Sequence, residues 1–394
     1  MAGQTQNIPF AIDARMLGRE GTGVATYAHA LLAALDLAGR YPLSVADPSC
    51  GRPMARAPRL ARWARWADAL VDRPRRLHRS NQQLAARDIF RLAQVHFDRH
   101  GTLLRLVAPG EPGIIHWTYP LPIRVEGWIN IYTVHDAIPI THPALSQIDP
   151  SRHRRLLAAL AASAEHMLTV SEAARRDIIA ALDCAPEIIS ACLPGVAVEP
   201  GSAPLPLGLS AGGYMLFAGS VEPRKNLVRL IQAYRESAVA CPLVIAGPDG
   251  WRADEITPFL EASPFVIRLP YVDRATLMTL MANARALLFP TITEGFGLPI
   301  VEAMQFGTPV LTARGGAAEE VAGGGALLAD PLSVPDLTAA IARLADDAVL
   351  AELSRAGLAR GAYFTPTAFA ARLDEVHRRL LDRAAARVGI QCPE

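Results

Sequence analysis

The sequence predicts an α/β protein of two domains, each a parallel sheet covered by helices on both faces. Three observations carry this. Short apolar strands alternate with helices in both halves, the pattern that gives buried parallel sheets. A length of 394 residues exceeds what one ordinary core organises. Between the halves, Glu199 to Gly213 is dense in proline and glycine and has no periodicity, after which the strand-loop-helix pattern restarts.

Composition narrows the class. Hydrophobic residues make up 51% of the chain, enough for two cores, and the formal net charge of +1 gives no overall field that would favour nucleic acid. Cys50, Cys184, Cys192, Cys241 and Cys392 are scattered and form no C-x-x-C pair, which points to a reducing compartment without cysteine-ligated zinc. The start, MAGQTQNIPF, lacks the basic and apolar regions of a signal peptide. No apolar run reaches the ~18 residues of a membrane span. A soluble cytoplasmic protein is expected.

The first strand is Ile8 to Asp13, and the glycine-rich turn after it, with Gly21, Thr22 and Gly23, leads into an Ala/Leu-rich helix to about Ala38. These glycines do not match G-x-G-x-x-G, so the turn serves equally as a packing device or as a place where a ligand meets a helix start. Residues 51–79 hold nine arginines against two aspartates, with Trp63 and Trp66. Such a stretch suits a basic amphipathic helix on an anionic membrane surface. It suits a solvated arginine-rich face of a lid equally well. A helix over Leu84–His100 is expected to pack this excursion down. Strands follow at Gly113–Trp117 and Ile129–Val134, and His135 and Asp136 fall at the carboxyl end of the second. Ligands of open α/β sheets bind at such ends. A helix over 150–164, a strand at His166–Val170, and a helix capped by Ser171 complete this half, with a last strand near Ile188–Cys192.

The second half opens with the strand Tyr214–Ala218. Its loop, Gly219-Ser-Val-Glu-Pro-Arg224-Lys225-Asn226, puts two adjacent cations before a helix, where Lys as a point charge and Arg as a planar fork suit a diphosphate. Strands at 243–246, 265–269, 287–289 and 310–312 alternate with helices at 274–283, 299–306 and 317–321, and the tail from Val334 reads as helical throughout. The most informative stretch lies between two of these elements. In Ala286–Pro290 a buried strand runs into a glycine-broken loop, Glu294-Gly295-Phe296-Gly297-Leu298, and Pro299 opens a helix carrying Glu302 in its first turn. Gly295 and Gly297 allow close approach of a ligand, and the free N–H groups of the helix start favour a phosphate. The two carboxylates suit hydroxyl binding or charge stabilisation.

These residues resemble a retaining family 4 glycosyltransferase of the GT-B class, two Rossmann-like domains facing each other across a cleft. The resemblance rests on the E-x7-E stretch Glu294 to Glu302, the loop Glu222-Pro-Arg-Lys-Asn226, and the run from Gly307 through Glu320 to Pro331. It is weakest over 51–110. It implies that Glu302 holds ribose hydroxyls and Glu294 a sugar hydroxyl, and that the backbone of Phe296–Leu298 meets the diphosphate or sugar. Lys225 matches the family's diphosphate lysine. The family's usual arginine position holds Ser220, and Arg224 stands in, as in the branch carrying E-P-R-K-N. His135 aligns with an acceptor-side histidine, Gly21–Gly23 with the amino-terminal glycine loop, and Asp136 is placed to orient a partner group.

The resemblance further implies an acceptor domain over 1–198 with a basic insertion at 51–110, a linker at 199–213, a donor domain over 214–375, and a helix over 376–394 crossing back. The implied reaction moves a hexosyl residue with retention, without metal or cofactor, from a nucleotide-sugar to a glycan or lipid-linked acceptor. The branch is associated with mannosyl transfer from GDP-mannose in surface polysaccharide assembly, and the arginine- and tryptophan-rich stretch 51–79 suggests a lipid-linked acceptor at the inner face of the cytoplasmic membrane. Rivals are a UDP-sugar transferase, an epimerase, a phosphorylase or a silent GT-B binding protein.

Overall fold

The computed structural model describes residues 8–18, 21–49 and 71–388. Trp63 and Trp66, and most of the basic stretch, lie outside the described residues. The amino-terminal half runs β1 (Phe10–Asp13), α1 (Gly23–Leu37), β2 (Leu43–Ala46), β3 (Arg75–Arg76), β4 (His78–Ser80), β5 (Gln83–Ala85), α2 (Ile89–His100), β6 (Leu104–Val107), β7 (Ile114–Trp117), β8 (Ile123–Val125), β9 (Ile129–Thr133), α3 (Ile138–Thr141), α4 (Pro150–Ser163), β10 (His166–Thr169), α5 (Glu172–Leu182) and β11 (Ile189–Ala191). Its main sheet has the order β11-β10-β9-β7-β1-β2-β5-β4, and β3-β6-β8 form a small second sheet. The pairs are parallel except β4 with β5. In β1 the two-residue period is visible in the packing. Phe10 and Ile12 join one hydrophobic cluster and Ala11 the other, so helices cover both faces.

The carboxyl-terminal half runs β12 (Met215–Ala218), α6 (Leu227–Glu236), β13 (Leu243–Ala246), α7 (Thr257–Glu261), β14 (Val266–Leu269), α8 (Arg274–Asn283), β15 (Ala286–Phe289), α9 (Leu298–Phe306), β16 (Val310–Ala313), α10 (Gly316–Ala322), β17 (Leu327–Ala329), α11 (Val334–Arg343), α12 (Asp347–Gly361) and α13 (Pro366–Val388). All pairs in its sheet, ordered β14-β13-β12-β15-β16-β17, are parallel. Every residue of β12, β13, β15 and β16 is buried, as expected of apolar strands covered on both sides.

The tail is helical as expected, in three helices α11, α12 and α13, of which Ser333 and Asp346 cap the first two. Three expectations change. Leu84 lies on β5, and the helix expected from there starts only at Ile89, after Asp88 adopts a left-handed backbone. The last helix of the tail begins at Pro366, upstream of residue 376. Glu302 is in the second turn, because α9 begins at Leu298 rather than Pro299.

Helix α13 packs along α1 of the other half. Phe369, Leu373 and Val376 bury its apolar face, Arg40 meets Asp374 at 2.5 Å, and His377 reaches His116 of β7. Gln305 of α9 donates to the Val196 carbonyl, and the Val196 N–H to the carbonyl of Phe364. One cluster of buried side chains therefore runs from Phe10 and Tyr27 to Leu380.

Candidate active site

Strands β12 and β15 are neighbours, so the loops leaving their carboxyl ends meet. Hydrogen bonds join them to each other and to the loop after β17. The Ile292 N–H donates to the Arg224 carbonyl at 2.9 Å, and Asn226 Nδ2 donates to the carbonyls of Pro290 at 3.0 Å and Pro331 at 2.6 Å. Asn226 has φ 63°, a left-handed conformation that asparagine tolerates better than most residues. Gly219 ends β12 with its N–H on the Ala246 carbonyl, against Gly247 of the neighbouring loop.

On this frame the cations and one carboxylate form a cluster. Glu294 Oε1 lies 2.6 Å from Lys225 Nζ, and Oε2 lies 2.7 Å from Arg224 Nη1. Arg224 also holds Glu222 at 2.7 Å, and Lys225 Nζ sits 4.7 Å over the Phe289 ring. Burial alone would raise the Glu294 carboxyl, but the two cations outweigh it and hold the group below the ordinary carboxylate range. For Arg224, burial works the other way, and Glu294 and Glu222 overcome it to raise the guanidinium further. Two cations and two carboxylates at the ends of adjacent strands make a neutral, preformed site.

Glu302 belongs to a different pair. It is nearly fully buried, and its Oε1 lies 2.7 Å from Nη1 of half-exposed Arg274, the first residue of α8. Phe296 turns its ring inward, edge-on to Phe364 at 5.6 Å, so only its backbone is left for a ligand. Gly297 caps α9 with φ 101°.

The amino-terminal half presses directly on this loop. A Cβ on Gly295 would stand 2.6 Å from the His135 carbonyl oxygen, so the space freed by that glycine is taken by the chain of the other half, and not by a ligand as the sequence suggests. The Gly295 carbonyl accepts from Ser171 Oγ at 2.7 Å. Gly23 lies against Leu298, where a Cβ would be 3.7 Å from its Cδ1. Gly21 has φ 77°, and Thr22 caps α1 through the Ala25 N–H. Tyr27 of α1 then packs edge-on to the His135 ring at 4.9 Å.

His135 Nε2 lies 2.9 Å from the Thr118 carbonyl. A carbonyl only accepts, so Nε2 carries the hydrogen and Nδ1 the lone pair. Burial pushes this imidazole down to about 4, so it is neutral at pH 7. The Asp136 carboxyl is pushed up by burial, against the Ile138 N–H and Arg224. Gly23, His135, Asp136, Arg224, Lys225, Glu294, Gly295 and Leu298 thus converge, while Glu302 stands with Arg274.

Several partners were not named from the sequence. Glu222 balances Arg224, Arg274 pairs with Glu302, and Glu320 of α10 accepts from the N–H groups of Glu172 and Ala173 at 2.8 and 2.7 Å, closing the start of α5 from the other half. The acidic residue two positions before Arg224 was a usable signal. The other two contacts join residues too far apart in sequence for any local pattern. Among the described residues no cluster of three histidine, cysteine or acidic side chains is placed to hold a metal ion, and no helix is long and apolar enough to cross a membrane.

Two parallel-sheet domains with their loop ends opposed across a cleft define a GT-B protein. Comparison with known proteins agrees. Residues 210–359 match the family described as Glycosyl transferases group 1. The chain is 34% identical over 262 residues to O-antigen chain mannosyltransferase B of Escherichia coli, covering 62% of this chain and 68% of that protein. It is 29% identical over 298 residues to D-inositol 3-phosphate glycosyltransferase of Acidothermus cellulolyticus, covering 66% of each. Among solved structures, sucrose-phosphate synthase from Thermosynechococcus elongatus superposes with a TM-score of 0.68 at 18% identity, over 95% of this chain and 100% of that one, which shows the shared fold. The chain belongs to the group 1 glycosyltransferases.

Proposed function

We propose that the protein transfers a mannosyl group from GDP-mannose, with retention and without a metal ion, to a glycan or lipid-linked acceptor in surface polysaccharide assembly. The observation that carries the reading is the pair Arg224 and Lys225, both held by Glu294 where the two donor-side loops meet. The hard part of glycosyl transfer is departure of an anionic diphosphate, and preorganised buried cations stabilise that charge as it develops. They supply the positive charge that other transferases take from a metal. The bond from the anomeric carbon to phosphate oxygen breaks, the acceptor oxygen bonds to the same face of that carbon, and the leaving phosphate takes the acceptor proton.

In this reading Glu294, released from the cations by the diphosphate, accepts from a sugar hydroxyl, Glu302 turns from Arg274 to the ribose, and the His135 Nδ1 lone pair accepts from a hydroxyl of the transferred sugar. The mannosyl assignment is supported by the name of the Escherichia coli relative and by the Glu222-Pro-Arg-Lys-Asn226 loop. The basic stretch 51–79 supports work at an anionic membrane surface on the cytoplasmic side. The test is transfer of labelled mannose from GDP-mannose to lipid-linked acceptor in excess EDTA, beside UDP-glucose. Metal-free transfer from GDP-mannose is expected. Loss of turnover in EDTA with recovery in Mg²⁺ refutes metal independence, and preference for UDP-glucose refutes the donor.

A further inference from the structure

Asp13 ends β1, Thr118 follows β7 and His135 stands just beyond β9, and these strands lie side by side in the order β9, β7, β1. Asp13 and Thr118 are fully buried. Asp13 Oδ2 accepts the Thr118 backbone N–H at 2.5 Å, and the Thr118 carbonyl accepts from His135 Nε2 at 2.9 Å. One residue is thus gripped at its N–H by Asp13 and used at its carbonyl to hold the imidazole. The second oxygen of Asp13, Oδ1, makes no hydrogen bond of good geometry, although the Thr118 hydroxyl and the Arg15 N–H stand near the carboxyl.

A fully buried carboxylate is a poor choice for stability alone, since an apolar side chain fills such a place at lower cost. What Asp13 adds is a charge-assisted acceptor, stronger than a neutral one, on a peptide that no strand pairing beyond Trp117 secures. Burial pushes its carboxyl up to about 6, against the N–H groups of Thr118 and Arg15, so at pH 7 it is mostly ionised and only accepts.

We propose that Asp13 is a positioning residue for His135: by fixing the Thr118 peptide it fixes the imidazole as the Nε2–H tautomer, leaving Nδ1 as the acceptor for a substrate hydroxyl. The proposal rests on the reading of His135 as such an acceptor in sugar transfer. Tyr27, edge-on to the same ring and hydrogen-bonded to Thr133 at 3.0 Å, fixes the ring's place, while Asp13 fixes its proton. A carboxylate that acts through a backbone carbonyl selects a tautomer without touching the imidazole.

The test compares wild type, Asp13→Ala and Asp13→Asn. For each, kcat and donor KM are measured, and the ring nitrogens of His135 are read by ¹⁵N NMR, assigned by their loss in His135→Gln. Asp13→Ala is expected to lower kcat at least tenfold, leave donor KM within threefold, and convert a single Nε2–H tautomer into a mixture. Asp13→Asn, whose amide oxygen still accepts from Thr118, should recover a third or more of wild-type kcat and the single tautomer. Wild-type protein with the hydrogen on Nδ1 overturns the proposal. So does Asp13→Ala with wild-type kcat, or with reduced kcat and an unchanged tautomer, because Asp13 would then act elsewhere. If Asp13→Ala does not fold, Asp13→Ser, which shortens the reach, takes its place with the same readouts. Wild type that transfers nothing from GDP-mannose refutes the donor reading, while the NMR comparison still decides the role of Asp13.

Discussion

Gly295 shows how much of the site is decided by single positions. The sequence marks it as a place of close approach, which is right, but what approaches is the His135 carbonyl. Gly295→Ala overpacks that contact and should destabilise the fold by about 1–3 kcal/mol, read as a lower denaturant midpoint at unchanged slope. Wild-type stability would mean that the halves do not meet there. Lys225, Arg224 and Glu294 were legible as a site because each sits in a short motif at a strand end. Asp13 was not, because its partner Thr118 lies just past the end of another strand and an aspartate closing a strand carries no local signal.

Among elements, those with strong local signals were read nearly to the residue. The helix capped by Ser171 is Glu172–Leu182, and the strand at 243–246 is Leu243–Ala246. The elements that were missed are short: β2, β6, β8 and β17, for example, have three or four residues each, and α7 has five. Such runs give too little alternation to separate strand from loop, and their neighbours in the sheet decide them. The start of α5 shows the same limit. Ser171 was recognisable as its cap, but Glu320, from the other half, satisfies the next two N–H groups. An anion at a helix start contributes about 0.3–1 kcal/mol. Glu320→Ala should therefore lower stability by about 1 kcal/mol and raise donor KM, as the halves lose a clasp beside the site. A larger effect on kcat than on KM would contradict this and place Glu320 in the chemistry.

At the scale of the whole molecule, the two halves share a continuous core and a crossing helix, so acid should loosen them together. Burial pushes His116 to about 3 and His135 and His166 to about 4, and His377 lies well below the ordinary imidazole value of 6.5. Each is neutral when folded. Between about pH 4 and 6.5 the unfolded chain binds more protons at these sites, so stability falls as pH falls, by up to about 1.4 kcal/mol per pH unit for each histidine. Asp13, raised to about 6, and Asp136, also pushed up by burial, act in the opposite sense but are two carboxyls against four histidines. Unfolding free energies at pH 7.5, 6 and 5 check this, and a flat profile would contradict it. The central claim concerns the cations and carboxylate that join β12 to β15. The most direct measurement is mannosyl transfer from GDP-mannose in EDTA by wild type, Lys225→Ala and Glu294→Ala, with folding verified for each. Each variant is predicted to lose at least about tenfold in turnover, ~1.4 kcal/mol of transition-state stabilisation, and wild-type kinetics in both would contradict the account.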